Sequence, residues 1–285
     1  MRITKFDARS LFGNPEVPHV VWEKQFDGFD AELRRIARKP WQDICESDLW
    51  YYMHDLAYVS PLQESLFEYL FPACLNFWYD TMMRNEDASI GSIEFHYSLH
   101  QGKILTRMLS SHRRDLVLDF VVDGFLNRIE SDKLSLPFSD ETDYCSWMLR
   151  LNSIGLVFPV VERIWENWWR VDSYGKAVCA MAWCSGIVYE DDENLIFGSS
   201  NIRSGDSEPY LHENDSQIRN DRWMDENIRF MYDNLSVKYI KDKLLECSRM
   251  LDGCKEGSTA LEIHNESKKR PDLMQHRIHH LLSRL

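Results

Sequence analysis

Apolar residues recur at helical spacing along most of this chain, and that pattern constrains its fold more than any other feature. In PLQESLFEYLFPACLNFWYDTMM, Leu62, Leu66, Leu70 and Phe77 lie along one broad apolar face, the mark of a packed amphipathic helix. Leu49, Met53 and Leu56 form a similar stripe in SDLWYYMHDLAYV. Leu116, Phe120, Leu126 and Ile129 do so in HRRDLVLDFVVDGFLNRIE, with Ser111 placed to cap the first turn. DAELRRIARKPW reads as a helix ending near Pro40, and PVVERIWENWWR as one opening at Pro159, where a first-turn proline is tolerated. SYGKAVCAMAWC is apolar enough to be a central helix, and further helices are predicted near residues 216–231, 235–251 and 271–284, the last from Pro271. Pro72 has no amide to donate and crowds the preceding turn, which predicts a kink or break around Phe71.

Two stretches depart from the helical period. In SIEFHYSLH, Ile93, Phe95, Tyr97 and Leu99 alternate with Glu94, His96, Ser98 and His100 as in a half-buried strand, although eight residues also fit two helical turns. In IVYEDDENLIFG, β-friendly triplets at 187–189 and 195–197 flank residues 190–194, a length that suits a hairpin loop. The expected fold is therefore α+β and predominantly α-helical, with a small β element (hairpin or short sheet) at 93–99 or 187–198. One domain over residues 1–285 is expected. The best linker candidate, GSSNIRSGDSEPYLHENDS at 198–216, is followed by too short a stretch for a robust core, so it reads as a long acidic loop within that domain.

The formal charge is −13, which argues against general nucleic-acid binding because phosphate backbones repel an acidic surface. A basic protein partner fits better. The seven cysteines contain no C-x-x-C pair and several sit in apolar runs, where thiols behave as small hydrophobes. That usage points to a reducing compartment. No secretory h-region opens the chain, and no apolar run approaches a membrane span, so a cytoplasmic protein without membrane contact is expected.

Phosphate-binding glycine loops, the nucleophile elbow and the H-E-x-x-H zinc motif are all missing, and no cofactor is expected. Three constellations could still carry chemistry. On a strand, Glu94, His96, Ser98 and His100 would share one face and could pass a proton; on a helix, His96 and His100 would be an i, i+4 chelating pair. A solvated polar face explains them as simply. His276, His279 and His280 share one side of a helix and could take up a divalent ion, while the plainer use is to favour the negative end of the helix dipole. Trp165, Trp168 and Trp169 at i, i+3, i+4 could stack sugars or bases or anchor an interface, whereas core packing is the plainer use.

The acids stand out most. Residues 189–227 hold Glu190, Asp191, Asp192, Glu193, Asp206, Glu208, Glu213, Asp215, Asp221, Asp225 and Glu226 against Arg203, Arg219 and Arg222, a net of 3 − 11 = −8. Their spacing is not that of a calcium loop. A concentrated negative patch speeds encounter with a positive partner, though solvated loops kept soluble by charge would look the same.

Residues 66–129, LFEYLFPACLNFWYDTMM through GKILTRMLSSHRRDLVLDFVVDGFLNRI, resemble helical segments of immunity proteins that neutralise interbacterial toxins, in particular those paired with type VI secretion nuclease effectors. The likeness covers about a quarter of the chain and rests on apolar patterning and LFPACL, and it transfers no functional residue. It implies a cytoplasmic, non-enzymatic protein that binds one toxin and covers or distorts its active site. The sequence thus points to inhibition of a cognate toxin, a nuclease by charge logic. Glu190, Asp191, Asp192, Glu193, Asp206, Glu208, Glu213, Asp215, Asp221, Asp225 and Glu226 would pair with the partner's Lys and Arg, while Trp223, Tyr210 and Phe197 would anchor it. The alternatives are a metal-assisted hydrolase built on Glu94, His96 and His100, and a helical adaptor with another partner.

Overall fold

The computed structural model describes residues 8–21, 28, 30–83, 90–131, 151–190, 193–196 and 222–285, with the side chains of 90–94 and 97 outside that set. Of what is described, 77% is helical and none is strand. The fold is all-α, and the expected β element is absent from the described residues. Two compact units make it up, residues 1–121 and 122–285.

In the first unit, a short 3₁₀ turn (Ala8–Phe12) precedes α1 (Asp30–Ala37), α2 (Glu46–Tyr58), α3 (Glu64–Met83), α4 (Ile90–Gln101) and the single turn α5 (Ile104–Arg107); α6 (Ser111–Ser131) carries the division between units. α2 starts where Asp48 turns back to accept from the Cys45 amide (3.0 Å) and from Lys39 Nζ (2.6 Å). Burial alone would raise the Asp48 carboxyl, but the Lys39 and Cys45 hydrogen bonds outweigh it and hold the group well below the usual carboxylate range. α6 is capped one residue earlier than expected, since Ser110 Oγ accepts from the Arg113 amide at 3.3 Å.

α3 runs unbroken through Pro72, contrary to the predicted break. Nearly every residue of its 66–75 stretch is buried, and that packing offsets the roughly 3 kcal/mol an interior proline costs. Phe71 stacks on Phe67 (4.6 Å) and meets Phe12 (5.8 Å) and Phe95 (6.0 Å).

The 93–99 alternation is helical, lying inside α4. Phe95 and Leu99, four residues apart, are both 1% exposed, while His96 and Ser98 are buried as well. The polar half of the alternation therefore does not mark solvent, and the period of two carries no strand information. Gly102 explains how close α2 and α4 come, because a Cβ there would lie 2.0 Å from the Leu56 carbonyl oxygen.

The second unit contains α7 (151–157), α8 (Val161–Trp168), α9 (Tyr174–Val188), α10 (Asp225–Asn234), α11 (Val237–Met250), α12 (Lys255–Lys269) and α13 (Pro271–Arg284). Ser173 opens α9 by accepting from the Lys176 amide, and every residue from Ala177 to Val188 is buried. α11, α12 and α13 pack around it. The expected 187–198 hairpin is not formed among the described residues: Ile187 and Val188 complete the last turn of α9, and 193–196 is a turn. The first triplet is β-friendly but equally suits a core helix, and the surrounding helices supply that core, whereas Leu195 of the second stays exposed. α10 occupies the later part of the predicted 216–231 helix and extends past it, while α11 and α13 match the predicted 235–251 and 271–284 segments.

Candidate functional site

The acidic stretch is held at both ends by buried side chains of the second unit. At its start, Asn194 is 2% exposed; its Nδ2 donates to Ser185 Oγ (3.1 Å) and its Oδ1 accepts from the Ile196 amide (3.0 Å). Ile196 itself is buried. At the far end, the Trp223 amide donates to the Leu285 carbonyl (2.8 Å) and its indole N–H to Asn152 Oδ1 (2.7 Å). The indole lies against Gly155, where a Cβ would come within 2.3 Å of the ring.

Asn227, one turn further, is a three-way clamp. Its Oδ1 accepts from the Val161 amide (3.2 Å), and its Nδ2 donates to the Gly155 (2.9 Å) and Phe158 (2.8 Å) carbonyls. One side chain thus ties two carbonyls at the end of α7 to an amide at the start of α8. Ile196 and Trp223, on either side of residues 197–221, are both buried.

The predicted contact residues divide accordingly. Glu190, Glu193, Asp225 and Glu226 are exposed, the last two in the first turn of α10, where carboxylates also favour the positive end of the helix. Trp223 is only 6% exposed and its polar atom is taken, so it is a structural anchor rather than a group facing a partner. Asp191, Asp192, Asp206, Glu208, Glu213, Asp215 and Asp221, together with Tyr210 and Phe197, lie outside the described residues.

A charge cluster that the sequence reading missed sits at the leading edge. Arg270, at the α12–α13 corner, pairs with Glu193, lies 3.6 Å from Glu266 and stacks over the Tyr189 ring at 5.5 Å. Tyr189 is 3% exposed and its hydroxyl has no hydrogen-bond partner among the described residues. Burial pushes that phenol well above its ordinary value; Glu266, Glu262 and Glu193 add to the rise, and Arg270 opposes it. The signal was present as Glu262, Glu266 and Arg270 at i, i+4, i+8, but it is visible only once α12 is recognised as a helix.

The histidine constellations look different in place. His96 is 2% exposed, and its Nε2 accepts the Trp78 indole N–H at 2.7 Å, so that nitrogen is not open to a metal. His276 and His279 are exposed on α13, with His280 half-buried. Among the described residues, no group of three or more His, Cys, Asp or Glu is arranged to hold a metal ion.

Trp165, Trp168 and Trp169 belong to the core, where Trp165 stacks on Trp169 (4.6 Å) and meets Trp183 edge-on (5.0 Å). The Trp165 indole N–H donates to Tyr239 Oη (3.1 Å) and that of Trp168 to the Lys176 carbonyl (3.2 Å). Sugar or base stacking would need open ring faces, and these are covered.

No helix among the described residues is long and apolar enough to cross a membrane. No known family model matches the chain, and neither a curated protein nor a solved structure matches it.

Proposed function

We propose that this protein neutralises a basic protein partner, as an immunity protein does a toxin, with the acidic stretch 190–226 as its contact and a nuclease as the toxin class. The single observation that carries the reading is the double anchoring of that stretch, by Asn194 and Ile196 at one end and Trp223 and Asn227 at the other. Fixed ends restrict where the acids can go, and a restricted binding segment loses less freedom on docking than a free tail.

A nuclease cleft is basic because it holds phosphates, so clustered carboxylates can occupy the same positive field. Such charges speed encounter more than they hold the complex. Since Trp223 is consumed inside the fold, the apolar anchors come from other residues. The α4 histidines support a hydrolase less well, because His96 is engaged in the core.

The test is co-expression with the protein encoded next to this one in its native genome. Restored growth and a co-eluting complex on size exclusion are expected. A neighbour that stays toxic and elutes apart would overturn the reading.

A further inference from the structure

We propose that Tyr189, Glu193, Glu262 and Glu266 form a guanidinium-binding notch, filled by Arg270 in the free protein and taken over by an arginine side chain of the basic partner. This rests on the basic-partner reading and names its point of attachment. Carboxylates on a surface would carry little by themselves, since solvated acids are common on helices. Tyr189 is what sets this cluster apart. Its hydroxyl is buried without a hydrogen-bond partner among the described residues, and its ring lies beneath the guanidinium that pairs with Glu193 and nears Glu266. An unsatisfied buried hydroxyl is destabilising, and a guanidinium carries five N–H donors in a planar fork.

Arg270 uses the notch only in part. It reaches Glu193 and approaches Glu266, while its Cζ sits over the Tyr189 ring rather than at the hydroxyl. The cause is its origin: it enters from the turn that ends α12 and opens α13, with φ −120° and ψ 42°, so its approach is set by that corner. An arginine from another molecule has no such tether and can reach the hydroxyl and Glu262 as well. The exchange replaces one guanidinium by another, so the charge within the notch is unchanged and no carboxylate is left unpaired. Arg270 then passes to solvent.

The probe is fluorescein-labelled deca-arginine, titrated by anisotropy in about 50 mM salt, where charge attraction is only partly screened. Arg270→Gln is compared with Arg229→Gln, which removes the same charge from an exposed position on α10. Emptying the notch is expected to tighten binding about tenfold, against less than about twofold for Arg229→Gln. Adding Tyr189→Phe to Arg270→Gln should cancel about threefold of that gain, with the melting temperature confirming that the fold persists.

Equal gains for the two arginine variants, a full gain without the hydroxyl, or no binding by any variant would each overturn the notch. If Arg270→Gln does not fold, Glu262→Gln decides instead. It should weaken deca-arginine binding about threefold relative to Glu162→Gln, an exposed α8 carboxylate outside the acidic stretch, and equal effects would overturn the proposal. These outcomes are separable from the proposed function: growth protection without a notch effect removes only the notch, whereas a notch effect without protection removes the toxin reading.

Discussion

Gly155 and Trp223 meet so closely that one methyl group cannot be placed between them. The indole fills the space where a Cβ would stand at 2.3 Å, so Gly155→Ala must push the ring or the α7 backbone aside. A loss of about 1–3 kcal/mol is expected from such overpacking, read by urea unfolding. A neutral result would mean the α10 entry is loose and the acidic stretch is not held at its far end. His264 makes a different prediction. Burial holds its imidazole below the ordinary value, with Lys268 adding to the effect and the Lys241 carbonyl opposing it. The unfolded chain therefore binds the proton first as pH falls. The stability this residue contributes is full above about pH 6.5 and is lost as pH drops through the lowered folded-state value. His264→Gln should flatten the stability curve as pH falls below about 6.5; an unchanged slope would assign that loss to other groups.

Among the elements, α12 shows where pattern reading stops. KEGSTALEIHNESKK has a glycine, three hydroxyl residues and few apolar positions, so its helical stripe is faint. Tertiary packing makes it a helix: Ala260 and Ile263 are fully buried in the second unit, and α12 lies against α9 and α11. Gly257 is there for close approach, since a Cβ would sit 2.4 Å from the Leu251 carbonyl oxygen. Gly257→Ala should therefore destabilise by about 1–3 kcal/mol even though intrinsic propensity favours alanine by about 1. A gain in thermal stability would contradict that packing. Long apolar stripes such as those of α3 and α11 were legible in the sequence because burial and period agree there. The 93–99 alternation misled because His96 and Ser98 are polar yet buried, and the site histidine His96 proved to be a hydrogen-bond acceptor inside the core. The Arg270 cluster was illegible because Glu193 and Arg270 are 77 positions apart and meet only in the folded unit.

Across the whole molecule, charge and packing divide the work. Aromatic residues build the interiors of both units, while most of the net charge of −13 comes from one stretch in the second. That stretch was legible in the sequence as composition. Its anchoring was not, because Asn194, Trp223 and Asn227 have no composition signal that separates a clamp from a loop residue. The central claim is that this stretch meets a positively charged partner, and the association rate constant with the protein encoded next to this one, measured over a range of salt concentrations, tests it most directly. Serine at Glu190, Asp191, Asp192 and Glu193 together should slow association about tenfold at low salt and flatten its salt dependence, while dissociation changes little. Unchanged association rates with an unchanged salt slope would contradict the claim and leave the acids with no task beyond solvation.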